Sequence, residues 1–498
     1  MNVNPITRLD YPDPDVIRVE DTYYMVSTTM HFMPGCEILQ SFDLVHWEHV
    51  TYVYETLDHT DAQQLKSGQN IYGQGMWAAS LRYHEGRFYI CFVANDTRKT
   101  YLYTSEKIDG PWKKQLIEGF YHDGSLLFDE DGRNYIVYGN DEIWITELNE
   151  DLTAPKKDGL HRLLVSDHKN PELGYEGSHI QKINGYYYIF LVHSLRDRWM
   201  RTEACFYSDS LEGEFTGGDV LCDDRGYCGQ GVAQGGIVDT PDGKWYAMLF
   251  QDSGAVGRLP ILLPVIWKDH FPVFGQNGHV PEEIEVHSTR PGYIYQPLVG
   301  SDDFCNGLLP RWQFNHDPDP RYYHLDALQG TYTITTREVC TELTQAVNTL
   351  TQRMSYPSCA AEVTVDASAL KEGDVAGLCA FQGCYAAVGI TKHHGKYEVL
   401  MLDKKEDGIL DMTEGTVVES HQMDFRLEAD FCNMKDEARC YYRVNKGDWL
   451  PIGTVHKLYF KLDHFTGCRF GLFCYAAEET GGSACFRDFK YYDVDEIS

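Results

Sequence analysis

At 498 residues the chain exceeds what one hydrophobic core ordinarily serves, so two domains are expected. Its formal charge of -32 repels phosphate backbones and anionic lipid, and with no local basic patch this excludes a nucleic-acid or membrane-surface partner and favours a neutral polymer as ligand. No basic-then-apolar leader opens the sequence, no apolar run could span a bilayer, and the fifteen cysteines are odd in number without metal or redox spacing, so a soluble, cytoplasmic protein with small buried thiols is expected.

Along residues 1–299, short runs rich in Tyr, Val, Ile and Phe alternate with tight turns, and no long helical period appears. One unit recurs. It is degenerate at Glu20-Asp21-Thr22-Tyr23-Tyr24, then clear at Glu85-Gly86-Arg87-Phe88-Tyr89, Asp131-Gly132-Arg133-Asn134-Tyr135, Asn184-Gly185-Tyr186-Tyr187-Tyr188 and Asp242-Gly243-Lys244-Trp245-Tyr246. Each reads as a hairpin turn leading into an aromatic strand, at 23–29, 88–94, 135–139, 187–194 and 245–251. A spacing of roughly fifty residues matches a four-stranded blade plus loops, so the first domain is expected to be a five-bladed β-propeller.

The first strand of every propeller blade lines the central channel, so equivalent positions converge on the axis. Counting twelve residues back from Tyr89, Tyr135, Tyr188 and Tyr246 gives Trp77, Asp123, Glu176 and Gln234, and eleven back from Tyr24 gives Asp13. Taken singly, an Asp near a turn is usually a cap. In register, three carboxylates, an indole and an amide around one funnel have the chemistry of glycosidic bond cleavage: an acid, a base and an aromatic wall for the sugar.

From 300 to 498 the repeat ceases. Alternating runs at 360–367, 396–403, 457–464 and 469–476 read as strands of a β-sandwich. The pair His393-His394 resembles a metal site, but neighbours on a strand face opposite ways and are not expected to share an ion.

Several passages resemble glycoside hydrolase family 43, the β-xylosidase and α-L-arabinofuranosidase group. Asn4-Pro5 with Tyr11-Pro12-Asp13-Pro14-Asp15 is similar to the family's opening motif, whose first Asp is the general base. His122-Asp123-Gly124-Ser125-Leu126-Leu127-Phe128 is similar to the motif whose Asp tunes and orients the acid, and Tyr175-Glu176-Gly177-Ser178-His179 to the motif that carries the general acid. Ser41-Phe42-Asp43-Leu44-Val45-His46-Trp47 matches the end of the family's first blade, and Gln234 through Gly243 with Phe250 through Arg258 resembles its last.

The resemblance implies an exo-acting, inverting glycoside hydrolase releasing terminal α-L-arabinofuranose and/or β-D-xylose from hemicellulose-derived oligosaccharides. Asp13 is then the base, Glu176 a proton donor kept protonated by its surroundings, and Asp123 its neighbour that sets its pKa. It further implies that Arg258 binds substrate and that Trp77 forms a wall. Met30 stands where many relatives have an aromatic beside the first sugar, and Gln234 where many have a histidine near a central metal. No metal is required by the chemistry, although a structural calcium in the channel is part of the family pattern. The C-terminal passages Trp312 through Asp319 and Ala376 through Gly383 resemble a sandwich whose loop narrows the pocket in relatives. A homo-oligomer is compatible with all of this. The competing reading is a non-catalytic carbohydrate-binding propeller, against which the varied axial residues weigh; motifs of the retaining fructan-acting propellers are absent from the sequence.

Overall fold

The computed structural model describes residues 2–493. Five four-stranded antiparallel sheets follow one another along the chain. Blade 1 comprises Asp15–Val19, Thr22–Ser27, Gly35–Ser41 and Glu48–Tyr54; blade 2 Met76–His84, Arg87–Ala94, Lys99–Ser105 and Lys113–Ile117. Blade 3 comprises Ser125–Phe128, Asn134–Asn140, Glu142–Leu148 and His161–Ser166; blade 4 Glu176–Ile183, Tyr186–Ser194, Arg201–Ser208 and Thr216–Leu221; blade 5 Val232–Asp239, Trp245–Asp252, Arg258–Lys268 and Phe271–Phe274. The recurring turn is what makes each blade. Glu85 and Gly86 (φ 48° and 78°) and Asn184 and Gly185 (φ 51° and 84°) both take left-handed backbone, the geometry whose twist suits a two-residue hairpin.

The ring is closed by the N-terminal segment. Asn2–Val3 pairs with Glu283–Ile284, and the Asn4 side chain imitates a strand by donating to the Leu262 carbonyl at 2.7 Å and accepting from the Leu262 amide at 2.9 Å. The chain then runs along blade 5, with the amides of Ile6 and Tyr11 donating to the carbonyls of Pro260 and Arg258. This run carries Asp13 to the mouth of the channel.

The remainder is a β-sandwich of one nine-stranded and one seven-stranded sheet, closed over a core that includes Trp312, Phe314, Phe425, Leu472 and Phe486. Blade 1 reaches into it: Phe32–Met33, between its second and third strands, forms the edge of the nine-stranded sheet against Gln313–Asn315. Two sequence expectations change here. Residues 458–464 form no strand; they make a loop between Leu450–Lys457 and Arg469–Tyr475, in which Leu458 packs in the sandwich core while Phe460 and Leu462 border a cavity. His393 ends its strand and His394 (φ 51°) begins the turn, so the two rings lie 4.0 Å apart instead of on opposite faces. All fifteen cysteines are free, ten of them buried.

A buried ion pair fastens the two domains. Arg353 of the sandwich meets Glu37 of blade 1 at 2.8 Å, both side chains under 5% exposed, and the guanidinium lies 4.1 Å over the Tyr11 ring. Burial pushes the Glu37 carboxyl up, but Arg353 and His49 outweigh it and hold it down at about 2. That contribution is complete above the ordinary glutamate range and is lost as pH falls towards 2. Arg353→Met leaves the buried Glu37 carboxylate with His49 as its one ion-pair partner among the described residues, so thermal or urea unfolding should show a loss of about 3 kcal/mol, partly restored by adding Glu37→Gln.

Candidate active site

In each blade the first strand starts, and the loop between second and third strands lies, at the same end of the channel, because the strands alternate in direction. At this end the structure brings the five axial residues together, but at two successive positions and not at one. Trp77 and Glu176 stand three residues before the strand residue that pairs two past the anchoring tyrosine, the place that His122 holds in blade 3, while Asp13 and Asp123 stand one residue further on. In blade 5 the equivalent of Glu176 is Ala233: it pairs with Phe250 as Glu176 pairs with Val192, each partner four residues past the anchoring tyrosine. Gln234 falls in the bulge that follows, next to Gly177. A Cβ on Gly177 (φ 65°) would lie 2.8 Å from Gln234 Cγ, so glycine beside Glu176 is required on both counts.

The floor of the site is buried. Asp13, Asp123, Gln234, Arg258 and Met30 are each at most 6% exposed. Asp13 (φ 52°) and Asp123 (φ 48°) hold left-handed backbone, which Asp tolerates better than most residues. One Asp13 oxygen accepts the Thr28 hydroxyl at 2.6 Å and the other faces Arg258 Nη1 at 3.1 Å. Asp123 Oδ2 accepts the Gly177 amide at 2.9 Å, tying it to the residue after Glu176. Glu176 accepts from Asn140 Nδ2 at 2.8 Å. Met30 follows the loop that carries Thr28, and its amide and carbonyl both bond to the main chain of Met76 in blade 2.

His122 stands between the second and third carboxylates. Its Nε2 is 3.6 Å from both Asp123 Oδ2 and Glu176 Oε2. Burial pushes this imidazole down, but Asp123 and Glu176 outweigh it and raise it to about 9. Burial pushes Asp123 up; His122 opposes and Glu176 and Asp13 add, leaving it at about 6.

Above the floor opens a cavity of about 590 Å³, bordered by Trp77, His122, Asn140, Glu176 and, from the sandwich, Phe460, Leu462 and Phe465. Trp77 faces Phe465 and His122 at ring separations of 5.7 and 5.8 Å. Phe465 also covers Arg258, whose guanidinium lies 4.3 Å from its ring centre and donates to its carbonyl at 3.3 Å. The sandwich loop thus closes one side of the cavity and shields the Asp13–Arg258 pair from water. Thr28, His122, Asn140, Phe460 and Phe465 were not singled out from the sequence. His122 lay within a recognised motif and was open to discovery; the phenylalanines, some two hundred residues beyond the propeller, carried no signal.

The calcium that the family pattern suggests finds a poor donor set here. Among the described residues the one trio of candidate ligands within 4.8 Å is His122, Asp123 and Glu176, an imidazole with two carboxylates. Calcium takes about six to eight oxygens. Deeper on the axis both Asp15 oxygens are engaged, by Arg82 and the Leu81 amide at 2.7 Å and by His179 at 3.0 Å, and the Arg82 cation disfavours a divalent ion.

The family model for glycosyl hydrolases family 43 matches residues 3–272, and that for the beta xylosidase C-terminal concanavalin A-like domain matches 301–492. A solved bifunctional GH43-CE protein of Bacteroides eggerthii is 42% identical with a TM-score of 0.92, covering 100% of this chain; the chain spans 64% of that protein's length. A beta-xylosidase of Formosa agariphila is 26% identical over 99% of this chain and 89% of its own. A non-reducing end alpha-L-arabinofuranosidase of Bacteroides ovatus is 24% identical over 82% and 79%. Matched in fold, in domain order and over more than half its length by the family model, this chain belongs to glycosyl hydrolases family 43 and is a glycoside hydrolase.

Proposed function

We propose that the enzyme removes terminal pentose, α-L-arabinofuranose and/or β-D-xylose, from hemicellulose-derived oligosaccharides with inversion at the anomeric carbon. The observation that carries this reading is the meeting of Asp13, Asp123 and Glu176 at the end of one cavity, Asp13 paired with a cation and Glu176 open to the cavity. Exo action is supported by the side that Phe460 and Phe465 close, and the choice of sugars by the activities for which the relatives are named.

In this mechanism Asp13 is the base. Thr28 and Arg258 fix its carboxylate, and a water it deprotonates attacks the anomeric carbon from one face. Glu176, steadied by Asn140, gives its proton to the departing oxygen on the other. Asp123 does not touch the reacting atoms. It anchors the Gly177 amide, so the acid's backbone is fixed, and it sets a negative charge beside Glu176. His122 offsets part of that charge and keeps Asp123 ionised at neutral pH.

Purified protein should hydrolyse nitrophenyl α-L-arabinofuranoside, nitrophenyl β-D-xylopyranoside or both, with Asp13→Ala at background and NMR showing the inverted anomer first. Sugar binding without turnover on either would instead make this a binding propeller, and a retained anomer would remove Asp13 from the role of base.

Glu176→Ala should cost at least about a hundredfold in kcat/KM on a natural disaccharide and much less on a dinitrophenyl glycoside, since a stable leaving group needs no proton. Equal losses would move the acid elsewhere.

The pH profile of kcat/KM should fall on the acid side near 6, where Asp123 takes up a proton, and on the alkaline side near 9, where His122 loses one. His122→Asn removes the cation that holds Asp123 down. The acid limb should then move to higher pH, with activity at pH 6 lost more than activity at pH 8; an unmoved limb would detach His122 from Asp123.

A further inference from the structure

The floor accounts for one sugar ring, yet the cavity of about 590 Å³ extends well beyond it. Its outer part lies over blade 4, the blade that carries Glu176. Trp199 is there, in the loop between Tyr186–Ser194 and Arg201–Ser208, on the same end of the channel as the start of Glu176–Ile183. Among the exposed large apolar side chains of the described residues, Trp199 (43% exposed) is the sole tryptophan, and only it and Leu462 (70% exposed) border this cavity. Exposed apolar surface of this kind, set in a concave site rimmed by polar groups, ordinarily marks a contact surface.

Trp199 is also held in place. Arg201 lies 5.3 Å from its ring and is itself locked by Asp252 at 2.7 Å, with Phe250 on its other side at 5.2 Å. The loop is tied down where Ser194 Oγ accepts the Met200 amide at 2.8 Å. A rigid indole therefore stands at the mouth, with an aliphatic side chain from the sandwich loop facing the same space. The C–H face of a pyranose ring is the apolar surface that packs on an indole, whose π face is electron-rich.

We propose that Trp199, with Leu462, forms the subsite for the leaving-group sugar, taking the pyranose ring to which the terminal pentose is attached. The placement rests on the assignment of Glu176 as acid: a proton donor stands beside the scissile oxygen, so the ring beyond it falls on the Glu176 side, away from Asp13. The enzyme then reads two rings, one by buried polar groups at the floor and the other by apolar surface at the mouth. An indole contact of this kind is insensitive to individual hydroxyls, so it selects for a ring and not for one particular sugar.

The test uses the full chain and two readouts. In an Asp13→Ala background, xylobiose should bind about tenfold tighter than xylose by calorimetry, and adding Trp199→Ala should erase that margin while leaving xylose affinity unchanged. In otherwise wild-type protein, Trp199→Ala should lower kcat/KM for the disaccharide about tenfold, and for the methyl pentoside, which lacks the second ring, less than twofold. Trp199→Phe should restore most of the loss. Equal effects on both substrates, or no loss of the binding margin, would overturn the subsite. Failure of the hydrolase reading is distinct from these: it would appear as wild-type protein inert towards every pentoside while the xylobiose margin and its dependence on Trp199 persist.

Discussion

Three carboxyl groups crowded into a nearly dry floor would repel one another and lose their hydration, and everything else about the site follows from how that cost is met. Two cations are set among them unequally. Arg258 pairs with Asp13 alone. His122 sits between Asp123 and Glu176, close to both and bonded tightly to neither. The unequal placement divides the carboxylates into roles that their chemistry alone would not distinguish. Asp13 faces a guanidinium that never gives up its proton, while the other two share an imidazole that can.

The sandwich domain enters this balance directly. Phe465 lies against the Arg258 guanidinium and accepts from it, so the strength of the Asp13–Arg258 pair depends on a residue from the second domain excluding water. The loop is held by the Phe465 amide donating to the Lys461 carbonyl at 2.8 Å and by the Tyr72 ring stacked on His464 at 3.9 Å. Tyr72 belongs to the propeller, as do Glu37 and the edge strand Phe32–Met33. The domains are thus joined by an ion pair, a shared sheet and an aromatic stack, and the enclosure of the floor is a consequence of that joint.

Much of this was legible in the sequence because the propeller is a repeat. The turns Glu85-Gly86 and Asn184-Gly185 announce hairpins by their positive φ, and counting back from the strand tyrosines brings Asp123 and Glu176 to the same end of the channel. The count goes astray by one at Asp123 and Gln234 because their hairpins carry one more residue: Leu127 and Val238 pair with tyrosines 8 positions on, Tyr135 and Tyr246, whereas Arg82 and Gln181 pair with Tyr89 and Tyr188, 7 positions on. The run 457–464 misled in the opposite sense. Its alternation of Leu458, Phe460 and Leu462 has the period of a strand, yet Leu458 packs in the sandwich core while Phe460 and Leu462 border the cavity. Period two records that alternate side chains meet apolar surroundings, and a loop between a core and a cavity satisfies it as well as a sheet does.

A five-fold repeat by itself would make a symmetric funnel, suited to binding and not to chemistry. Asymmetry comes from what the repeat leaves free: the residue entering each innermost strand and the loop after each second strand. Blade 4 supplies both the open carboxyl of Glu176 and the indole of Trp199, blade 1 Asp13 and the strand that docks the sandwich, and blade 3 the pair Asp123 and His122. Hydrogen bonds within the blades keep these loops at fixed separations, so the groups meet without a large ordering cost when substrate arrives. The fold's part in the reaction is therefore rigidity. The choice of chemistry and of sugar lies in the few positions that the blade pattern does not constrain.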